Sequence, residues 1–473
     1  MLSDGSGSSR AVLAFEDRQY RLPELDALAD GLAGTLAAGG VAPGDRVVLM
    51  SSNRPEFVVA LMAIWRLGAA VVLISPAYKR AEVAHALALT KPSYAVGDQP
   101  VLAELMPMRQ LDEAIAPTRP AQPVSGPRPA DADALLVFSS GTTGLPKAVR
   151  HTRASLAAAM RHWRTALGLT ERDRIQVVTP PSHILGLLNI ITALDTGAWV
   201  RLHRRFDIDT MLRHIETDRI TVEMAVAPIA LAIAAHPDLE SFDLSSLRFI
   251  MWGATPVTAH VAETVTQRTG VGWVPAYGTS ELPVIACNPL DGARLDSVGR
   301  PVPGVDVRIV ALDTGAPLPT GETGEIQARA ESLMAGYLPD ETTAEVVVDG
   351  WYRTGDVGYL DDEGWLRITD RCKEMIKVRG FQVAPAEIEA VLHGHPAVTD
   401  CAVFGVPDVD GESVVAAVSV SGPVTDAELV ALVGDRLASY KRPRRVVFVP
   451  EIPRLPSGKL LRRVLKERLW MSG

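Results

Sequence analysis

A run of hydroxyl residues, glycines and one lysine is the part of the sequence best suited to chemistry. Residues 135–138 are apolar and predict a buried strand, and residues 139–147 then read Ser-Ser-Gly-Thr-Thr-Gly-Leu-Pro-Lys. In such a loop, glycines let backbone N–H groups turn towards a phosphate, hydroxyls donate to its oxygens, and a lysine adds positive charge. The residues concerned are Ser139, Ser140, Gly141, Thr142, Thr143, Gly144 and Lys147. The loop predicts a polyphosphate site, although its spacing is not that of a Walker A loop, and an ordinary turn is the alternative.

The elements around this loop predict layers of strands and helices. Apolar segments at residues 45–50 and 69–74 predict strands, and residues 54–67 and 80–90 predict helices. Strands that alternate with helices at this spacing are typical of parallel α/β layers. We therefore predict an α/β fold with a large, multi-sheet amino-terminal domain.

The carboxy-terminal part of the chain has a different pattern. Residues 384–392 and 426–437 predict helices, whereas residues 401–406 and 414–420 predict strands. This order predicts a small α+β domain of about 100 residues. The whole chain has 473 residues, which is too long for one compact core, so more than one domain is expected.

Composition excludes several classes of function. The net charge of −9 gives no basic surface for nucleic acid, so an anionic cofactor would be held by local lysines and arginines. Three cysteines lie far apart, without histidines at metal-ligand spacing, which predicts neither disulfides nor zinc and fits a reducing compartment. The apolar stretch at residues 58–74 is interrupted by an arginine and a glycine, and residues 1–10 lack the apolar segment of a signal peptide. We therefore expect a cytoplasmic protein without a membrane span.

Residues 139–147 resemble, at nearly every position, the nucleotide loop of the adenylate-forming (AMP-binding) superfamily. This superfamily includes acyl- and aryl-CoA synthetases, such as fatty-acid–CoA and 4-coumarate–CoA ligases, together with firefly luciferase and the adenylation domains of nonribosomal peptide synthetases. Further motifs in the family's order extend the resemblance over essentially the whole chain. The resemblance implies a large domain at residues 1–372, a small mobile domain at residues 373–473 and a hinge at Lys373. It also implies ATP, Mg²⁺ and CoA as cofactors.

Residues 276–281, Ala-Tyr-Gly-Thr-Ser-Glu, resemble the family's Tyr-Gly-x-Thr-Glu motif, with serine in place of the usual threonine. The resemblance implies that Tyr277 stacks on adenine, that Ser280 binds a phosphate oxygen and that Glu281 holds Mg²⁺, which prefers oxygen ligands. Residues 253–256 resemble the turn whose backbone lies along the adenine. The nucleotide-binding residues implied outside the first loop are Gly253, Ala254, Thr255, Ala276, Tyr277, Gly278, Thr279, Ser280, Asp356, Arg371 and Lys459.

Two large side chains, His183 and Trp252, are informative about the acid substrate. His183 matches a Pro-x-x-His-x-x-Gly motif. In CoA synthetases of this family, the histidine of this motif lines the passage between the acyl pocket and the thiol. The alternative is a structural histidine whose hydrogen bonds are satisfied at the start of a helix. The Phe-Asp of amino-acid-activating domains is absent here, which favours an acid without an α-amino group. Trp252 replaces a serine of many relatives and predicts a shorter or flatter pocket, unless it fills the core. The pocket residues implied are His183, Trp252, Gly278, Pro283 and Val284.

The longest match is at residues 351–389, whose first half predicts a β-hairpin. Asp356 only accepts hydrogen bonds when ionised and so suits the ribose hydroxyls, and Arg371 can reach the same ribose or the phosphate. The resemblance implies that the hinge is at Lys373. A solvated, basic hairpin is the alternative. The residues implied for the thiol half-reaction are Lys377, Gly380 and Gln382.

Residues 453–459 resemble the family's terminal Pro-x-x-x-x-Gly-Lys loop, which brings Lys459 to the reacting groups. The catalytic residues implied by all motifs together are Lys459, Glu281, Thr142 and His183. Lys459 would lie between the substrate carboxylate and the α-phosphate of ATP and offset the repulsion of these two anions.

These motifs together predict an acid–thiol ligase. We expect ATP-dependent conversion of a carboxylic acid to an acyl-adenylate with release of pyrophosphate, then transfer to CoA, giving acyl-CoA and AMP. The acid is expected to be medium-chain, cyclic or aryl. One alternative is a ligase that loads the phosphopantetheine of an acyl carrier protein, and another is luciferase-like oxidation of the adenylate. The sequence also leaves an oligomer open, and it disfavours a silent nucleotide-binding protein because each chemically required residue is present.

Overall fold

The structure is a computed structural model that describes residues 11–114, 129–139, 146–254, 259–372, 374–378, 381–408, 411–454 and 460–470. Its strands are β1 Ala11–Phe15, β2 Arg18–Arg21, β3 Arg46–Met50, β4 Ala70–Leu73, β5 Tyr94–Gly97, β6 Arg109–Gln110, β7 Asp133–Ser139, β8 Lys147–Thr152, β9 Arg174–Val177, β10 Trp199–Leu202, β11 Val222–Ala225, β12 Phe249–Trp252, β13 Trp273–Tyr277, β14 Ala286–Cys287, β15 Arg300–Pro301, β16 Val305–Val310, β17 Gly324–Ala330, β18 Gly336–Leu338, β19 Val347–Val348, β20 Trp351–Leu360, β21 Leu366–Arg371, β22 Ile376–Val378, β23 Phe381–Val383, β24 Val398–Asp408, β25 Gly411–Val420 and β26 Arg445–Phe448. Its α-helices are α1 Leu22–Ala38, α2 Pro55–Arg66, α3 Arg80–Thr90, α4 Pro100–Ala103, α5 Leu111–Ala114, α6 Arg153–Ala166, α7 Ile184–Thr196, α8 Ile208–Asp218, α9 Ala227–Ala235, α10 Ala259–Thr269, α11 Pro385–His393, α12 Asp426–Arg436 and α13 Arg462–Trp470.

The chain divides into two compact units. The first consists of Met1–Asp306 and Ala328–Tyr352, and the second of Val307–Gln327 and Arg353–Gly473. A domain boundary with a hinge at Lys373 stays a prediction, and Lys373 itself lies outside the described residues. Among the helices that the structure describes, none is long and apolar enough to cross a membrane.

Two large sheets form the framework of the first unit. One has nine strands in the order β15-β14-β13-β12-β11-β9-β10-β1-β2, and the other has seven in the order β18-β8-β7-β4-β3-β5-β6. In the nine-stranded sheet the run from β13 to β1 is parallel, and in the seven-stranded sheet the run from β7 to β6 is parallel. The predicted parallel α/β layers are therefore confirmed.

Helix α2 shows why these layers form where the sequence predicts them. Pro55 occupies the first helical turn, where its missing N–H costs nothing, Glu56 is in that same turn, and Arg66 is in the last turn. Nearly all residues between them are buried, and the Trp65 Nε1–H donates to the Ala134 carbonyl at 2.8 Å. A helix that is apolar on every side belongs in the interior, so α2 is buried in the first unit.

The second unit contains a small α+β core. Strands β22 to β25 form a sheet in the order β23-β22-β25-β24, with β26 added beside β25, and helices α11 and α12 pack on it through Ile388, Leu392, Leu429 and Val433. Strands β24 and β25 are longer than the predicted segments because they pair along their whole length as an antiparallel ribbon. Strands β20 and β21 form the predicted hairpin, in a sheet of order β16-β17-β20-β19 with β21 beside β20.

A buried polar cluster lies under helix α8 in the first unit. The Glu223 side chain is fully buried on β11, and the Gln176 amide donates a hydrogen bond to its Oε2. The His203 ring, also buried, donates from Nε2 to the Gln176 Oε1 at 2.8 Å. Burial raises the pKa of Glu223 from 4.5 to about 8. Because burial disfavours the charged form, Glu223 is protonated at neutral pH.

This raised pKa predicts a pH-dependent stability. Between pH 4.5 and about 8 the unfolded chain loses the Glu223 proton that the folded protein keeps, so the free energy of unfolding falls as the pH rises through this window. Glu223→Gln is expected to remove this fall and to stabilise the protein by about 5 kcal/mol above pH 8, with little effect below pH 4.5. Denaturant unfolding across this pH range tests it, with the exposed Glu263→Gln as control. Parallel stability curves for the wild type and Glu223→Gln would contradict it.

Candidate active site

Three predicted segments meet at one edge of the nine-stranded sheet. Gly253 and Ala254 directly follow β12, residues 278–284 follow the adjacent parallel strand β13, and His183 follows β9. These strands are parallel, so their carboxyl ends lie at the same edge, which is where open α/β sheets bind ligands. The backbone at Ala254 has a φ of 64°, in the left-handed region that an L-residue adopts only under strain. Such strain is frequent at ligand sites.

The turn after β13 is tight and requires glycine at its start. A Cβ atom at Gly278 would lie 2.0 Å from the Pro283 carbonyl oxygen. The Thr279 N–H donates to the Leu282 carbonyl at 3.0 Å, and the Thr279 hydroxyl accepts from the Leu282 N–H at 3.0 Å. Val284 is fully buried behind this turn. The turn therefore holds Ser280 and Glu281 in a defined position beyond Tyr277.

Glu281 is buried and oriented by a neighbouring strand. The Tyr337 hydroxyl on β18 donates to Glu281 Oε1 at 2.7 Å, and the Met334 N–H donates to the Glu281 carbonyl at 2.8 Å. Burial, together with the charge of Glu281, raises the pKa of Tyr337 well above its ordinary value, so the tyrosine keeps its proton and donates. The ammonium of Lys147 lies 5.2 Å from the Tyr337 ring centroid, a cation–π distance. Lys147, the lysine of the predicted phosphate loop, and the carboxylate of Glu281 thus both contact one tyrosine, Tyr337.

The two ends of the predicted phosphate loop are paired in a β-hairpin. Ser139 is the last residue of β7, Lys147 is the first of β8, and these two residues pair directly in the antiparallel ladder. The predicted loop residues between them, Ser140, Gly141, Thr142, Thr143 and Gly144, lie outside the described residues. Thr255, Lys373, Gly380 and Lys459 also lie outside them.

His183 and Trp252 have different surroundings. His183 is the N-terminal cap residue of α7, but its side chain makes no capping hydrogen bond and is exposed. The structure therefore gives no support to a histidine satisfied at the helix start. Trp252 is 1% exposed, with its ring 5.1 Å from that of Trp273. Of the two interpretations of Trp252, this packing supports the one in which it fills the core.

Met251 and Leu185, which the sequence analysis missed, are the side chains beside Gly253. A Cβ atom at Gly253 would lie 3.2 Å from the Met251 Sδ and 3.7 Å from a methyl group of Leu185. Side chains alternate along a strand, so with Trp252 packed in the core, Met251 points to the opposite face. That alternation is the sequence signal that could have identified Met251. Gly253 therefore has an apolar surface beside it.

In the second unit, Asp356 and Arg371 face each other in the β20–β21 hairpin. They are directly paired residues, and the Arg371 Nε lies 3.0 Å from the Asp356 Oδ1. Asp356 is buried, whereas nearly half of the Arg371 side chain is exposed. Lys377 on β22 is exposed and pairs directly with Gln382 on β23. The structure thus places Asp356 opposite Arg371 and Lys377 opposite Gln382 in their ladders.

Asp370, which the sequence analysis did not single out, connects the segments on either side of the predicted hinge. Its Oδ2 accepts from the Ala386 N–H in the first turn of α11 at 2.9 Å, and its Oδ1 accepts from the Arg371 N–H at 2.7 Å. Burial raises the pKa of Asp370 to about 6. A carboxylate at a helix N-terminus is favourable, so this contact stabilises the junction between β21 and α11.

Comparisons with known proteins agree with this architecture. The family model of the AMP-binding enzymes matches residues 5–338, and that of the AMP-binding enzyme C-terminal domain matches residues 387–459. A feruloyl-CoA synthase from Amycolatopsis sp. is 36% identical over 459 residues, covering 92% of this chain and 91% of that protein. A 4-coumarate–CoA ligase from Humulus lupulus is 33% identical over 505 residues, covering 98% of this chain and 90% of that protein.

A solved structure extends the likeness to the fold. ATP-bound MatB from Rhodopseudomonas palustris superposes with a TM-score of 0.92 at 28% identity, covering 98% of this chain and 96% of that one. Family model, sequence identity and fold agree over nearly the whole length of the chain. The chain therefore belongs to the AMP-binding enzyme family and is an adenylate-forming, AMP-forming acid–thiol ligase of the acyl- and aryl-CoA synthetase type.

Proposed function

We propose that this enzyme activates an aryl carboxylic acid of the arylpropenoic type with ATP and transfers the acyl group to CoA. The observation that carries the proposal is the buried Glu281 carboxylate at the carboxyl end of β13, oriented by Tyr337, whose ring lies 5.2 Å from the Lys147 ammonium. Two relatives that align with nearly the whole chain are named for coumarate and ferulate, which supports the aryl class. The side chains nearest Gly253, those of Met251 and Leu185, are apolar, which suits a flat ring bound beside that glycine.

The residues around Glu281 fit Mg²⁺ bound together with ATP. The Tyr337 hydrogen bond is made to Oε1, so Oε2 is the oxygen that suits a metal. Mg²⁺ in nucleotide sites is held by one or two carboxylates and by substrate phosphates rather than by an all-protein cage. The described part of the chain contains no cluster of three or more histidine, cysteine or acidic side chains that could hold a metal ion. When bound, Mg²⁺ would neutralise the phosphate charge that opposes the approach of the acid.

The first half-reaction forms the adenylate. A carboxylate oxygen of the acid attacks the α-phosphorus of ATP, the bond from that phosphorus to the bridging oxygen breaks, and pyrophosphate leaves. We assign the phosphates of ATP to loop residues 139–144 and Lys147. The adenine is assigned to Tyr277 and to the backbone of residues 253–255. The ribose hydroxyls are assigned to Asp356. Lys459 is assigned to a position between the substrate carboxylate and the α-phosphate of ATP. A preorganised cation there lowers the barrier to adenylate formation.

The second half-reaction forms the thioester. The CoA thiolate attacks the acyl carbon of the adenylate, and AMP leaves with the bonding electron pair. We assign His183 to the passage for the thiol, residues 377–382 to this step and Lys373 to the hinge that exchanges the two faces of the small domain. CoA is preferred over an acyl carrier protein as acceptor because of the relatives' names. The cytoplasmic location stays a prediction, and an oligomer stays open.

A panel of acids tests the proposal. Pyrophosphate release is measured with ATP and Mg²⁺ on acetate, palmitate, benzoate, coumarate and ferulate, each with and without CoA. We expect release to peak on coumarate or ferulate, with acyl-CoA formed only when CoA is present. A peak on palmitate would contradict the aryl class. Adenylate that accumulates regardless of CoA would favour a carrier protein, and CoA-independent oxygen uptake would favour the luciferase-like alternative.

A further inference from the structure

A buried histidine supports the turn that carries Ser280 and Glu281. His151 lies on β8 and is fully buried, with its Nε2 at 2.8 Å from the Ser280 carbonyl oxygen. A carbonyl oxygen only accepts, so Nε2 carries the proton and donates. The other ring nitrogen, Nδ1, lies 3.4 Å from the Ser155 hydroxyl, which can donate to it. Both nitrogens therefore have a defined role in one neutral tautomer.

This hydrogen bond anchors a part of the turn that other contacts do not. Tyr337 holds the Glu281 side chain and Met334 holds the Glu281 carbonyl, whereas His151 holds the carbonyl of the preceding residue, Ser280. The peptide plane between Ser280 and Glu281 contains that Ser280 carbonyl. A change in the ψ angle of Ser280 would turn this carbonyl away from His151 and reorient the Ser280 side chain relative to Glu281. The His151 hydrogen bond therefore opposes that rotation.

The anchor comes from the same strand as the phosphate loop. Strand β8 begins at Lys147 and places His151 four residues later, and β18, which carries Tyr337, pairs with β8. Strands β8 and β18 thus belong to the seven-stranded sheet, whereas Ser280 follows β13 of the nine-stranded sheet. The His151 and Tyr337 hydrogen bonds connect the two large sheets of the first unit at the candidate site.

We propose that His151 is a positioning residue for adenylation, which sets the Ser280–Glu281 peptide so that the serine hydroxyl and the carboxylate face the phosphates and Mg²⁺ together. The inference rests on the proposed function, which assigns the Ser280 side chain to a phosphate and the Glu281 side chain to Mg²⁺. Loss of an outer partner of a metal ligand typically costs 10–100-fold in metal affinity. Loss of the donor also leaves a buried carbonyl without its hydrogen bond. His151→Leu should therefore weaken Mg²⁺-dependent binding more than nucleotide binding itself.

Calorimetric binding of ATP, with and without Mg²⁺, tests the inference without requiring turnover. For His151→Leu we expect the gain in ATP affinity on adding Mg²⁺ to fall by about 10-fold or more, while Mg²⁺-free affinity stays within about 3-fold of the wild type. His151→Gln can present an amide N–H near the position of Nε2 and should restore most of the gain. His151→Asn is too short to do so and should behave like leucine. In turnover, the KM for Mg²⁺ should rise, while the KM for the acid is unchanged.

Control variants separate positioning from general destabilisation. His162 is also buried in the first unit, where its Nδ1 lies 3.0 Å from the Ser332 hydroxyl. His162→Leu should leave the Mg²⁺ gain unchanged even if it lowers the melting temperature. If His151→Leu does not fold, the glutamine and asparagine variants decide the question by their difference.

Each outcome of this experiment has one meaning. An unchanged Mg²⁺ gain in His151→Leu, or equal losses in His151→Gln and His151→Asn, would overturn the positioning role while leaving the proposed function intact. If the wild type binds no ATP at all, the proposed function fails, and the inference fails with it. A selective loss that glutamine restores and asparagine does not supports it.

Discussion

Lys459→Ala is expected to lower the rate of adenylation by at least 10²–10³-fold while sparing thioester formation from supplied acyl-adenylate. In the first half-reaction a carboxylate must approach a triphosphate, and the barrier includes the repulsion of these anions. A lysine at that point offsets the repulsion and stabilises the charge that develops on the α-phosphate. In the second half-reaction the electrophile is the adenylate, so the same cation is no longer needed between two anions. Pyrophosphate release and acyl-CoA formation, measured separately, distinguish the two steps.

A nearby lysine serves as the matched control for Lys459. Lys466 lies on α13, a few residues further along the chain, with its ammonium 4.0 Å from a Glu412 oxygen. Lys466→Ala should keep the wild-type rate of pyrophosphate release. Release by Lys459→Ala at near the wild-type rate would show that another group supplies the charge. An equal loss in both half-reactions would indicate damage to the small domain as a whole.

Glu281→Gln is expected to lower kcat/KM for pyrophosphate release by about 10²–10³-fold. Glutamine keeps the shape of glutamate and its carbonyl oxygen can still accept from Tyr337, so the turn is preserved while the negative charge is lost. A neutral amide is a poor ligand for Mg²⁺, which prefers charged oxygen ligands in nucleotide sites. Raising the Mg²⁺ concentration should recover part of the activity of Glu281→Gln. Assays of pyrophosphate release across a Mg²⁺ titration measure both effects.

Two further variants serve as comparisons for Glu281→Gln. Tyr337→Phe removes only the hydroxyl that donates to Glu281 and should cost less, about 10-fold, because the carboxylate remains. Glu223→Gln removes a different buried carboxyl group in the same unit and should leave the Mg²⁺ dependence of the wild type unchanged. If Glu281→Gln behaved like Glu223→Gln, Glu281 would be a structural residue and the magnesium assignment would be wrong.

The alternation of apolar strand segments with helical segments was enough to predict the framework around the site. Helix α2 begins at Pro55 and ends at Arg66, and α3 spans Arg80–Thr90, both within a residue of the predicted segments. These elements are specified locally, because proline, first-turn acids and apolar runs act within one or two turns. The family and the order of its motifs could also be recognised from the sequence, since each motif is a short contiguous segment.

Side-chain partners could not be predicted in the same way. His151 and Ser280 are 129 residues apart in sequence, and Tyr337 is 56 residues from Glu281, so no local pattern pairs them. Trp252 illustrates the same limit within one strand: its type allowed either a pocket residue or a core residue, and in the structure it packs in the core. The face is set by register and by the helices packed above, which are long-range properties.

The sequence by itself therefore determined the family, the reaction class and the residue types available for phosphate, metal and thiol, because these depend on short contiguous motifs. Only the tertiary structure decided which side chains orient them: Tyr337 and His151 around the Ser280–Glu281 turn, Met251 rather than Trp252 beside Gly253, and a protonated Glu223 in the core. The physical reason is that hydrogen bonds and burial act between neighbours in space. Those neighbours are chosen by the pairing of strands in two separate sheets, which no single segment of the chain specifies.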